Sequence, residues 1–270
     1  MEILTSVQIF TDLFSVLSAM VFACSYPLVA TINFRGFSCE DSSIRYPTVE
    51  DSLSESNLAI SLYLIPFLIF ISCETALFPW SKPNVPRFLY LVTLYQIVLP
   101  LLLGIFALKG LVAVLKTSVG RLGPTFVEAC QPDINCTLPE YHFRYITNYT
   151  CVRNGTKLEE LSRQSFPSGI SADAAQMVVL VALFIEAKVE WSGINLVKRL
   201  MQLVVLCFGL DVCLTRVSEY REHWSDVMTG ILMGVVFAFF TAFYLLNWFK
   251  SSSPREISDE SIASAGSIES

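Results

Sequence analysis

Apolar residues in this chain gather in long blocks separated by short polar stretches. Six blocks are long enough to cross a bilayer as helices: roughly 8–32, 57–79, 88–114, 169–187, 196–214 and 225–248. About 20 apolar residues cover the roughly 30 Å of hydrocarbon. Runs this long and this numerous do not fit the buried helices of a soluble core. The first block lacks the basic start of a cleavable signal, and no small-x-small site precedes a soluble domain. The pattern predicts an all-α integral membrane protein, a six-transmembrane-helix bundle over residues 1–249. Loops at about 33–56, 115–168 and 215–224 would share one side of the membrane.

Composition agrees. The chain is 53% hydrophobic, too apolar for an ordinary soluble domain of this size. Its net charge of −6 argues against a nucleic-acid surface. The eight cysteines contain no CxxC pair, and the two histidines are His142 and His223, so neither a metal nor another cofactor is expected. Cys24, Cys73, Cys207 and Cys213 fall in spans, where packing is the expected role. Cys39, Cys130, Cys136 and Cys151 fall in loops. Their number allows two disulfides without fixing the pairing, and at least one is expected inside the large loop, involving Cys151.

The large loop also fixes the expected sidedness. Asn135-Cys136-Thr137, Asn148-Tyr149-Thr150 and Asn154-Gly155-Thr156 are glycosylation sequons. Three in one polar loop suggest the lumen or exterior, an oxidising compartment that permits disulfides. Six spans then put both termini in the cytosol. Lys82, Arg87, Lys188, Lys198, Arg199, Lys250 and Arg255 fall on that side. The loop 33–56 instead sets Arg35 and Arg45 against Glu40, Asp41, Glu50, Asp51 and Glu55, as the positive-inside rule expects. The tail 250–270 is serine-rich and acidic, too poor in apolar residues to fold, and is expected to be disordered and cytosolic. Phosphorylation near Ser258 or Ser261 is a secondary reading of it.

Three polar stretches lie at the outer ends of spans: "KTSVGRLGP" (116–124), "SFPSG" (165–169) and "TRVSEYREHWSD" (215–226). Together they would bring cations, a Ser-Gly helix start and a carboxylate to one membrane face. Lys and Arg there suit a phosphate, and the backbone N–H groups near Ser168 and Gly169 would offer a helix N-terminus to it. Taken singly, the cations read equally well as snorkelling span ends and Ser168 as a helix cap. No span shows a distinctive polar groove.

These stretches resemble the integral-membrane lipid phosphate phosphatases of the type-2 phosphatidate phosphatase superfamily, over roughly residues 30–248. That family has six spans and three outer-face motifs, KxxxxxxRP, PSGH and SRxxxxxHxxxD. The resemblance implies a two-step displacement in which a third-motif histidine attacks phosphorus, an aspartate orients it, and a second-motif histidine protonates the leaving alcohol. On this pattern the chain keeps Lys116 and Pro124, but Gly123 stands at the arginine position. It keeps Pro167, Ser168 and Gly169, but Ile170 stands at the acid position. Thr215 replaces the serine, Arg216 and Asp226 are kept, and Glu222 occupies the nucleophile position beside His223.

The resemblance thus implies phosphate contacts at Lys116, Ser168, Gly169 and Arg216, with three catalytic roles missing. Ile170 cannot donate a proton, and an ionised Glu222 would repel a phosphate. If the sixth span begins as a helix at Glu222, then Glu222 and Asp226 form an i,i+4 like-charge pair that must recruit Arg216, Lys116 or Arg221, or share a proton. The expected function is a catalytically impaired lipid phosphate phosphatase-like membrane protein, similar to the phospholipid phosphatase-related group. It would bind phospholipid or lysophospholipid phosphate, or membrane-protein partners or a second copy of itself, in lipid signalling, with the plasma membrane as the expected location. Two alternatives stand beside it: an active phosphatidate or lysophosphatidate phosphatase using His223, and a lipid transporter or scramblase.

Overall fold

The computed structural model describes residues 6–49, 55–78, 87–141, 143–153, 155–188 and 195–249. Asn154, Lys82 and the tail 250–270, with the charges and phosphorylation positions read there, lie outside the described residues. Among the described residues eight α-helices follow in order: α1 (Ser6–Val29), α2 (Glu55–Leu77), α3 (Phe88–Val119), α4 (Phe126–Cys130), α5 (Lys157–Ser162), α6 (Gly169–Lys188), α7 (Asn195–Ser218) and α8 (Trp224–Phe240). A π-helical turn, Thr241–Leu245, continues α8. Six of these elements, α1, α2, α3, α6, α7 and α8 with its π turn, are long and apolar enough to cross a membrane. The protein is a multi-pass membrane protein of the expected fold class.

α6 lies at the centre, with α2, α3, α7 and α8 packed around it and α1 attached outside α3. The tightest joint is between α6 and α8. A side chain at Gly230 would meet the Ser168 carbonyl oxygen at 2.4 Å, and one at Gly234 would meet that of Ala172 at 2.2 Å. Small residues four apart let two backbones touch where lipid tails offer no hydrophobic drive for association. Below this joint Phe70, Leu101, Met177, Leu180 and Phe184 form the largest buried cluster. Of the four span cysteines, only Cys213 is buried, while Cys24 and Cys207 are exposed. The packing role expected of the latter two is therefore corrected: they sit on the lipid-facing side of their helices.

The long loop folds into a cap. β1 (Phe37–Ser38) pairs antiparallel with β2 (Tyr145–Ile146), joining the first loop to the large one. Cys39–Cys136 ties the same two segments, and Cys130–Cys151 closes the large loop on itself. The expected pair within the loop, involving Cys151, is thus present. Phe37, Ile44, Leu122, Phe126 and Ile146 form the cap's own core. Arg163 is enclosed beside it, donating to the Tyr149 hydroxyl at 2.8 Å and pairing with buried Glu159. The guanidinium also lies over the Phe34, Phe126 and Tyr149 rings, so this loop cation holds the cap together.

Candidate functional site

Three helix ends converge under the cap. α3 continues to Val119, past its expected end at 114, so Lys116 sits in its last turn. Gly120 stops the helix at φ +55°, returning its N–H to the Lys116 carbonyl. A side chain at Gly120 would meet the Asn33 carbonyl oxygen at 2.1 Å, so only glycine satisfies both the left-handed turn and the close approach. α6 opens at Gly169 with Ser168 as its cap. The Ser168 hydroxyl accepts from the Ser171 N–H at 3.2 Å and donates to the Ser171 hydroxyl at 2.7 Å.

The third end is the junction between α7 and α8. α7 runs to Ser218, which leaves Arg216 buried in its last turn. Tyr220 then takes a left-handed conformation (φ 54°), and its ring stacks 4.2 Å from that of Tyr46 in the first loop. The Arg216 carbonyl accepts from the N–H groups of both Arg221 (3.0 Å) and Glu222 (3.2 Å). α8 begins only at Trp224, with His223 as its N-cap and Asp226 at the third helical position in a reciprocal capping box. Glu222 therefore precedes the helix. The expected i,i+4 pair of Glu222 and Asp226 does not form on the helix, because the turn after Ser218 delays α8, but the Asp226 charge still acts on the Glu222 carboxyl.

Lys116, Gly123, Gly169, Ile170, Arg216 and Glu222 line one pocket of about 250 Å³. Ser168 is beneath it, fully buried, and serves α6 as a cap. Lys116 Nζ donates to the Gln164 carbonyl at 2.5 Å and stands 3.7 Å from a Glu222 carboxylate oxygen. Arg216 Nη2 lies 3.5 Å from Glu219. Burial pushes the Glu222 carboxyl above its usual range, and the Lys116 charge partly opposes that rise. The pocket thus pairs Lys116 with an internal acid, Glu222.

His223 and Asp226 adjoin this pocket but do not line it. Asp226 is fully buried. It accepts from Arg121, from the Ser165 hydroxyl at 2.6 Å and from His223 Nδ1 at 3.2 Å. His223 lines a second recess of about 370 Å³ with Arg35, Ser38, Asp41, Arg121 and Tyr145, joined to the first through Asp226 and the pocket residue Ser165.

Residues 97–250 match the PAP2 superfamily. The chain belongs to the PAP2 superfamily. It is 32% identical to phospholipid phosphatase 1 of Rattus norvegicus, over 82% of this chain and 79% of that protein. It is 31% identical to phospholipid phosphatase 2 of Bos taurus, over 94% and 88%, and 30% identical to phospholipid phosphatase 2 of Homo sapiens, over 90% and 85%. No solved structure matches the chain.

Within this PAP2 site the sequence reading missed Arg121 and Ser165, the partners that hold Asp226. Both stand inside the motif stretches, and Arg121 is the one arginine left in "KTSVGRLGP", which was signal enough to mark it. The reading also missed an ion pair inside the membrane, Lys109 on α3 with Asp173 on α6 at 2.8 Å. Asn135 and Asn148 are exposed on the cap, and the Asn135 side chain accepts from the N–H and hydroxyl of Thr137 in its own sequon.

Proposed function

We propose that this PAP2 protein has lost hydrolysis and binds the phosphate head group of a phospholipid or lysophospholipid. One observation carries the reading: Glu222, at the nucleophile position, faces Lys116 inside the pocket, whereas the neighbouring histidine opens into a different recess. Lys116, Gly169 and Arg216 supply the phosphate contacts, backed by the Ser168 cap at the start of α6. Ile170 lines the same pocket where an acid is needed and has no proton to give. Removing one member of a catalytic unit costs on the order of a millionfold in rate, and losing further members adds little. The test is phosphate release from phosphatidate by the purified protein, run beside binding of the same lipid in vesicles. Binding without release supports the reading; turnover refutes it.

A second reading has its own observation. His223 Nδ1 faces Asp226, the pairing that orients a nucleophilic histidine and leaves Nε2 to attack. On this reading the protein is an active phosphatidate or lysophosphatidate phosphatase, and His223→Ala abolishes release. Against it, His223 Nε2 is buried and the residue lines the other recess, not the one holding Lys116, and a misplacement of about 1 Å already costs about a hundredfold.

The sidedness belongs to the same proposal. Both termini face the cytosol, and the cap faces the exterior of the plasma membrane with glycans at Asn135, Asn148 and Asn154. Two disulfides in the cap suit an oxidising compartment. There the protein would act in lipid signalling by holding a lipid phosphate or a membrane partner. A liposome transfer assay tests the remaining transporter reading.

A further inference from the structure

At the end of the bundle opposite the cap, α1 and α3 run side by side, and the Tyr95 hydroxyl donates to the Asp12 carboxylate at 2.8 Å. The π turn that continues α8 forms the third side of a recess there. Its volume is about 530 Å³, against about 250 Å³ for the phosphate pocket. Asp12 lies inside the first span, whose helix begins at Ser6, roughly 9 Å along it. A carboxylate within a span is costly and calls for a partner. The Tyr95 hydroxyl gives it one hydrogen bond and does not cancel its charge. Among the described residues no lysine, arginine or histidine lines the recess.

The backbone adds to the negative side. Pro100 stands inside α3 and has no N–H to give the Gln96 carbonyl one turn back. Both residues line the recess, as do the Tyr95 and Tyr244 rings. A carboxylate, a carbonyl lacking its i+4 donor and aromatic surface together suit a cation. The lining also changes with depth. Asp12, Tyr95 and Asn247 lie toward the membrane face, whereas Val16, Leu99 and Leu103 lie further toward the bilayer centre. That order, polar then apolar, matches a lipid standing in its leaflet. α1 has no buried residue, so a lipid reaches the recess from the side.

We propose that this recess is a second lipid site, which binds the ethanolamine head group of a phospholipid in the leaflet opposite the cap. The primary ammonium donates to Asp12 and to the Gln96 carbonyl. The Gln96 and Asn247 side-chain amides carry N–H donors for the phosphate. A choline head group has no N–H to give either acceptor, and a serine head group adds a carboxylate that Asp12 repels. The site needs nothing from the phosphate pocket at the other end of the bundle.

The experiment titrates the full-length protein, purified in detergent and stripped of lipid, with phosphatidylethanolamine, phosphatidylcholine or phosphatidylserine of the same acyl chains. Bound lipid is read by native mass spectrometry. The expected result is about tenfold tighter binding of the ethanolamine lipid than of the choline lipid, the scale of one hydrogen bond to a charged group. The serine lipid should also bind more weakly. Asp12→Asn keeps the shape and an acceptor for Tyr95 but removes the charge, and should bring the ethanolamine lipid down to the level of choline. Equal binding of ethanolamine and choline lipids by the native protein overturns the site, a comparison that needs no variant to fold. A preference that survives Asp12→Asn also overturns it, and a serine lipid that matches the ethanolamine one overturns the head-group assignment. O-phosphoethanolamine carries the same amine and phosphate without chains and should leave lipid binding unchanged. Displacement of the lipid by it at equal concentration would give the recess to a soluble amine and overturn the lipid reading.

Discussion

His223 Nδ1 lies 3.2 Å from the Asp226 carboxylate, which is also held by Arg121 and the Ser165 hydroxyl. The pairing starts a helix as much as it orients an imidazole, because His223 is the N-cap of α8 and Asp226 its third residue. Asp226→Ala removes the carboxylate paired with Arg121 and orphans its donors. We expect a loss of about 2 kcal/mol in thermal unfolding of the purified protein, less than for a fully enclosed pair because 33% of the Arg121 side chain is open. His223→Ala should cost about 1 kcal/mol, the usual loss of a cap. Unchanged melting in both would show that the network contributes nothing to the fold.

Glu222 sets a pH dependence with a definite sign. Its carboxyl is raised above the ordinary 4.5 by burial, with Lys116 opposing the rise. Below the raised value the group is neutral, and above it the group is an anion beside the pocket's lysine. Glu222→Gln should therefore tighten lipid-phosphate binding most on the alkaline side of that raised value. Its advantage over the native protein should vanish as pH falls through the carboxyl's titration. Taking the ratio of the two affinities cancels the lipid's own protonation. A ratio independent of pH would mean that Glu222 does not oppose the ligand.

Restoring chemistry should need more than the nucleophile. Glu222→His alone is expected to stay nearly inactive on phosphatidate, because Ile170 leaves the leaving group without an acid. The triple change Gly123→Arg/Ile170→His/Glu222→His should give measurable phosphate release and exceed any sum of the single changes, as groups acting as a unit do. Space permits the first change with a small shift: a side chain started at Gly123 meets the Ser162 carbonyl oxygen at 3.3 Å. Hydrolysis by Glu222→His as strong as by the triple variant would refute this account.

The α6–α8 joint should be intolerant of bulk. Gly234→Val drives a side chain into the Ala172 backbone, 2.2 Å from its carbonyl oxygen, and neither helix can retreat without opening the central packing. The variant should lose stability by about 3 kcal/mol or fail to fold. Leu232→Val, at an exposed position on the same helix, is the control. Equal melting temperatures would count against the joint.

Glycosidase treatment tests the sidedness. A mobility shift is expected in the native protein and should be absent after Asn135, Asn148 and Asn154 are all changed to Gln. A shift that persists, or an antibody that reaches the C-terminal tail on intact cells, would reverse the proposed topology.

The sequence alone determined the six spans, because crossing hydrocarbon is a demand on consecutive residues and the blocks answer it locally. It also determined the motif residues, whose fixed spacing survives their decay. Tertiary structure decided the rest, since each remaining relation joins residues far apart in the chain. Cys39 finds Cys136, Arg121 finds Asp226, and Lys109 finds Asp173, and no local pattern encodes such pairings. The facing of two adjacent residues was also beyond the sequence. Helical periodicity from Glu222 onward would have set it alongside Asp226, but the left-handed Tyr220, stacked on Tyr46 from another loop, delays the helix until Trp224. That turn leaves Glu222 facing Lys116 and gives Asp226 to His223, because its backbone conformation is held by a contact the local sequence does not contain.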